Sequence, residues 1–70
     1  MSSLPSIGFV GLGAMGAPMA MRLLGADFPL AVWNRSPERA APLAAAGARL
    51  AAAPGEAAAD SDVVISVLFD

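Results

Sequence analysis

The sequence predicts an α/β fold, a doubly wound parallel sheet, and three features of the chain predict it. Four short apolar runs recur along the 70 residues, and helix-start signals or helical spacing separate each run from the next. The first run, Ile7-Gly8-Phe9-Val10, is apolar without alternation, as a strand buried on both faces of a parallel sheet would be. It ends directly on a cluster of glycines, Gly11 to Gly16.

Taken in order, residues 7–10 form the first strand and Gly11–Gly16 a turn. Met15, Met19 and Leu23 then recur at i, i+4 and i+8 with Leu24 beside them, which is helical spacing up to Gly25, the expected C′ residue. Pro18 is expected in the first turn of this helix, where its missing N–H matters least. Leu30-Ala31-Val32-Trp33 is the second strand, with Pro29 where a strand can begin. Ser36-Pro37-Glu38 opens the second helix with an N-cap, a proline at N1 and an acid in the first turn. Arg39 stands where a capping box would need Glu or Gln, and Gly47 closes the helix as its C′ residue. Ala48–Ala51 is a weak third strand. Pro54-Gly55-Glu56 starts a short third helix ending around Asp60, and the β-branched run Val63–Leu68 is the fourth strand.

Strand–helix alternation implies parallel pairing with right-handed crossovers, and in the doubly wound arrangement the strands lie 3-2-1-4. The first two helices cover one face and only the short third helix reaches the other. Most of that second face and the outer edge of strand four are expected bare, the geometry of half a domain. Composition agrees: 57% of residues are hydrophobic and 14% charged, which is apolar for so short a chain, although alanine richness alone raises the first figure. Residues 1–70 are therefore read as the N-terminal portion of a larger domain.

Net charge is −2, and the chain has no basic run and no aromatic platform, so nucleic acid is not an expected partner. With no cysteine and no histidine, disulfides and the common zinc sites are excluded, and no metal site is expected. The apolar stretch 7–21 lacks a preceding positive charge and carries four glycines and Pro18, which disfavours a signal peptide. No segment reaches the roughly 18 unbroken apolar residues that a membrane span needs. A cytoplasmic protein is the expectation.

Gly11-Leu12-Gly13-Ala14-Met15-Gly16 fits G-x-G-x-x-G, the phosphate-binding turn of the Rossmann fold. The first glycine allows the tight turn, the second the approach of a pyrophosphate to the backbone, and the third close helix–strand packing. A glycine-rich turn that binds nothing would match the same pattern. The preceding strand, the following helix and a second strand ending about 20 residues later favour a dinucleotide. Asn34-Arg35-Ser36 stand where NAD-binding chains usually place Asp or Glu. No carboxylate is there to repel a 2′-phosphate, and Arg35 can pair with one, so NADP is the expected cofactor with NAD as the alternative. Trp33, Met15, Met19 and Met21 are read as packing residues, and Asp60 and Asp62 as solvated turn residues without a partner.

Residues 7–20, Ile-Gly-Phe-Val-Gly-Leu-Gly-Ala-Met-Gly-Ala-Pro-Met-Ala, resemble the opening of the β-hydroxyacid dehydrogenases, a family that includes 3-hydroxyisobutyrate dehydrogenase and tartronate semialdehyde reductase. Val32–Pro37, Ala46-Gly47-Ala48 and Asp62–Ile65 continue the resemblance in order. It implies reversible hydride transfer between a nicotinamide and the carbon bearing a β-hydroxyl. By motif position, Gly11, Leu12, Gly13, Ala14, Met15 and Gly16 would hold the pyrophosphate. Asn34, Arg35 and Ser36 would hold the adenosine 2′-phosphate, and Leu68, Phe69 and Asp70 would lie along the cofactor. Phe69 departs from the family's usual proline, and Ala26-Asp27-Phe28-Pro29 from its usual glycine-histidine turn.

Imine reductases share the glycine loop and often a tryptophan-asparagine-arginine segment, and 6-phosphogluconate dehydrogenases have a similar opening; Pro18-Met19 leans toward the hydroxyacid enzymes. A non-catalytic dinucleotide-binding module is the reading from a different class. The family's catalytic lysine and its helical C-terminal domain, which usually builds a homo-oligomer, lie beyond position 70. The 70 residues alone are therefore expected to bind cofactor without catalysing, with the hydroxyacid substrate met by the longer protein.

Overall fold

A computed structural model of the chain describes residues 4–59 and 61–67. The elements are β1 (Ile7–Val10), α1 (Gly13–Gly25), β2 (Leu30–Trp33), α2 (Pro37–Ala45), β3 (Arg49–Leu50), α3 (Pro54–Ala59) and β4 (Val63–Ser66). All strand pairs are parallel and the sheet order is β3-β2-β1-β4, as the alternation predicts. β1 is central, with Ile7 opposite Leu30 and Val63, and Val10 opposite Trp33 and Ser66. Four carboxyl ends therefore emerge at one edge of the sheet.

Successive strand side chains point to opposite faces, and this sorts the helices. Phe9 and Val32 are completely buried on the face that α1 and α2 cover, packed with Leu12, Ala20, Ala40 and Leu43. Gly8 points the other way, toward α3, where a Cβ would run into the Ala57 carbonyl and lie 2.8 Å from Ser61 Oγ. Val64 of β4, level with Gly8 on that second face, remains 48% exposed, and Val63, level with Ile7 on the first, 45%. β3 is shorter than expected, since only Arg49 and Leu50 pair with β2 and both side chains are exposed at the sheet edge. Strand-type bonding of β4 extends one residue beyond Ser66, as the Val67 N–H donates to the Val10 carbonyl at 2.9 Å.

Several local expectations need correction. α1 begins at Gly13, inside the glycine cluster, so Pro18 is the sixth helical residue and removes an interior i→i−4 bond. Among the described side chains, the buried stripe of α1 is Gly16 and Ala20, with Ala17, Leu23 and Leu24 packed beside them, rather than Met19 and Met21. Met19 and Met21 are 44% and 40% exposed. The helix lies too close to β1 for long side chains between them, so the small residues face inward. Gly25 stays helical, and Asp27 with φ 69° carries the left-handed turn. Its N–H bonds the Leu24 carbonyl while that of Phe28 bonds Leu23, a Schellman ending. Gly47, φ 117°, ends α2 by the same motif, with its N–H on Ala44 and that of Ala48 on Leu43.

Asp62 is more than a solvated turn residue. Its carboxylate accepts from the Ser6 N–H at 3.0 Å and from the Ser6 hydroxyl at 3.3 Å, and its own N–H donates to Ser6 Oγ at 3.1 Å. This clasp sets the register of β4 on β1 at the amino end of the sheet. Asp60 lies outside the described residues.

One substitution made at two glycines tests this packing with opposite signs. Gly8→Ala should destabilise the protein by about 1–3 kcal/mol, because α3 must shift. Gly25→Ala meets nothing within 4 Å and should stabilise it by about 0.5–1 kcal/mol. Thermal or denaturant unfolding of the two variants measures both.

Candidate functional site

The glycine cluster leaves the carboxyl end of β1 and immediately starts a helix. Gly11 has φ 81°, a conformation that L side chains rarely adopt, so the first glycine makes the turn. Its N–H donates to the Trp33 carbonyl at 2.8 Å, which ties the start of the turn to the end of β2. At Gly16 a Cβ would sit 3.2 Å from both the Gly11 carbonyl oxygen and Phe9 Cε1, so the third glycine is where α1 touches β1.

Leu12 is the N-cap of α1, with its side chain fully buried. A leucine has no oxygen to cap a helix, and none of the helix's first turn is acidic. α2 and α3 differ, carrying Glu38 and Glu56 in their first turns. The N–H groups of the first turn of α1 have no intrahelical acceptors, and the helix dipole adds partial positive charge there. No carboxylate of the first turn offsets it. An anion fits this end of the helix.

Asn34, directly after β2, reaches back to the turn. Its Oδ1 accepts from the Leu12 N–H at 2.9 Å, and its Nδ2 donates to the Ser36 carbonyl at 3.0 Å. Sequence reasoning grouped Asn34 with the 2′-phosphate residues; the fold turns its amide toward the glycine turn and along its own loop. Arg35 is exposed beside it. Arg49 pairs with Glu56 at 3.5 Å, whereas among the described residues no carboxylate pairs with Arg35. Ser36 is the N-cap of α2 with an extended backbone, yet its side chain makes no capping hydrogen bond. Its hydroxyl is thus not committed to the helix end.

Next to these residues lies a cavity of 180 Å³, lined by Trp33, Asn34, Pro37, Ala40, Ala51 and Ala52 among others. Trp33, read from the sequence as packing, is half-buried and forms a wall of it. Ala51 and Ala52 follow the weak third strand, so only the parallel topology signals that they belong here. The cavity is lined mostly by apolar residues, a fit for a heterocycle. The turn, the helix end and the cavity lie together at the carboxyl ends of β1, β2 and β3, next to the reversal of strand order between β1 and β4. That is where open α/β sheets take their ligands. Val67 Cβ comes within 3.7 Å of a Cβ placed on Gly16, so the exit of β4 borders the same turn. Leu68, Phe69 and Asp70 lie outside the described residues, as do the side chains of Ala14 and Met15. The residues present fit a dinucleotide.

Comparison with known proteins agrees with this geometry. Residues 6–70 match the family described as the NAD binding domain of 6-phosphogluconate dehydrogenase. Glyoxylate/succinic semialdehyde reductase 2 of Arabidopsis thaliana is 42% identical over 65 residues, 93% of this chain and 18% of that protein. Mitochondrial 3-hydroxyisobutyrate dehydrogenase of Mus musculus is 37% identical over 68 residues, 97% of this chain and 20% of the relative. Among solved structures, an imine reductase from Myxococcus stipitatus in complex with NADP+ superposes with a TM-score of 0.90 at 32% identity, covering 94% of this chain and 23% of that one. The chain thus spans about a fifth of the length of the curated relatives it matches. It belongs to the matched family, that of the NAD binding domain of 6-phosphogluconate dehydrogenase.

Proposed function

We propose that residues 1–70 form the N-terminal portion of the NADP-binding domain of a cytoplasmic oxidoreductase that interconverts a 3-hydroxyacid and its semialdehyde. The observation that carries the cofactor half of this reading is the juxtaposition of an α1 first turn free of acidic residues with exposed Arg35 across the ends of β1 and β2. In this reading the backbone of Gly11–Gly16 receives the pyrophosphate. Arg35 and the Ser36 hydroxyl receive the 2′-phosphate, and the apolar cavity beside Trp33 takes the adenine. Leu68, Phe69 and Asp70 run along the cofactor toward its nicotinamide, as the resemblance implies. When bound, the nicotinamide supplies or accepts the hydride.

These residues bind and orient; they do not move the proton. The chain contains no histidine and no lysine, and its four basic residues are all arginines. The group that takes the hydroxyl proton, the hydroxyacid pocket and the surface for self-association are assigned to the longer protein, and the 70 residues alone should not turn over substrate. Imine reduction is the second reading, favoured by the close superposition on the NADP+-bound imine reductase. Oxidation of 3-hydroxyacids by the full-length protein supports the first reading, and reduction of cyclic imines with no hydroxyacid activity supports the second.

Two substitutions in the full-length protein test the cofactor assignment. Arg35→Ala should weaken NADP+ binding by about 10- to 100-fold, the loss of one or two charge-assisted hydrogen bonds, and leave NAD+ binding within about twofold. An unchanged NADP+-to-NAD+ ratio in titration calorimetry contradicts the assignment. Gly16→Val should abolish binding of both dinucleotides, because α1 must leave β1 and carry its N-terminus away.

A further inference from the structure

We propose that Asn34 is a positioning residue: it holds the glycine turn in its phosphate-receiving shape through the Leu12 N–H, and it does not act on the 2′-phosphate. The inference rests on the cofactor reading above and deepens it. Three observations carry it. The Asn34 Oδ1 to Leu12 N–H bond spans 22 residues of sequence at 2.9 Å, and it is the side-chain bond that joins the end of β2 to the N-cap of α1. The Asn34 amide is itself held, its Nδ2 donating to the Ser36 carbonyl at 3.0 Å, so the acceptor presented to Leu12 is fixed in direction. Leu12 is anchored on its other side by a side chain fully buried in the core.

The Leu12 N–H is one of the donors that a helix start leaves without an intrahelical partner. Here a side chain from just beyond β2 satisfies it, as the Glu or Gln of a capping box would. The donors left for a pyrophosphate are then those that follow Leu12, and their direction depends on how Leu12 is held. Asn34 thus influences every dinucleotide that uses the turn, whether or not it carries a 2′-phosphate. Arg35, one residue on, influences only those that do.

The test uses NAD+ as probe, because it lacks the 2′-phosphate, with Asn34→Ala and Asn34→Asp in the full-length protein. Asparagine to alanine removes the acceptor; asparagine to aspartate keeps an oxygen for Leu12 and loses the donor to Ser36. Asn34→Ala should weaken NAD+ and NADP+ by the same factor, about tenfold, so that their ratio holds. Asn34→Asp should recover most of the NAD+ affinity and also the hydrogen-exchange protection of the Leu12 amide in the cofactor-free protein, which a carboxylate acting on the ribose alone would not restore. Thermal midpoints without cofactor separate lost positioning from lost stability. Loss of NADP+ binding with NAD+ binding intact in Asn34→Ala makes Asn34 a 2′-phosphate ligand and overturns the proposal, as does an Asn34→Asp variant no better for NAD+ than Asn34→Ala. A wild-type protein that binds neither dinucleotide overturns the cofactor reading itself.

Discussion

Helix α1 and strand β1 approach so closely at Gly16 that even one added carbon would press on Phe9 and on the Gly11 carbonyl, and much of the structure follows from that contact. A helix this near to the sheet can present only small residues inward, which is why Gly16 and Ala20 are buried and Met19 and Met21 point out. The same approach aims the start of α1 back over the end of β1. The chain must then turn within two residues, and Gly11 makes that turn with a positive φ. The site is therefore a by-product of packing: the helix begins where the core forces it to, and its first-turn N–H groups lack intrahelical acceptors there.

A turn held only at its two ends would leave those N–H groups loosely directed. Strand β2 supplies the remaining constraint, with the Trp33 carbonyl on the Gly11 N–H and Asn34 on the Leu12 N–H. Parallel pairing puts these residues level with one another, as Val10 lies opposite Trp33. One strand end therefore does two things: it braces the turn and it presents Arg35 outward. In the proposed reading, cofactor binding and cofactor choice fall to adjacent residues that act on different parts of the ligand.

Most of the fold was legible in the sequence because the signals were local and agreed with one another. The runs at 7–10 and 30–33 became strands with those bounds, Ser36-Pro37 began α2, and Gly47 ended it. The misreadings all needed tertiary information. The spacing in α1 placed Leu23 and Leu24 against the core correctly but Met19 with them wrongly, because hydrophobic periodicity cannot tell where the strand lies too near for a long side chain. Gly25 was the expected C′ residue on intrinsic preference, yet that position falls two residues later, at Asp27. At the site, the motif residues were legible by type and spacing. The contact of Asn34 was not, because its partner Leu12 is distant in sequence and offers only a backbone N–H.

The most direct measurement is a crystal structure of the full-length protein with NADP+. The account predicts the pyrophosphate against the first turn of α1 and the 2′-phosphate on Arg35 and Ser36. It also predicts adenine in the cavity beside Trp33, and the Leu12 N–H still on Asn34 Oδ1. A dinucleotide bound away from the ends of β1 and β2 would contradict it.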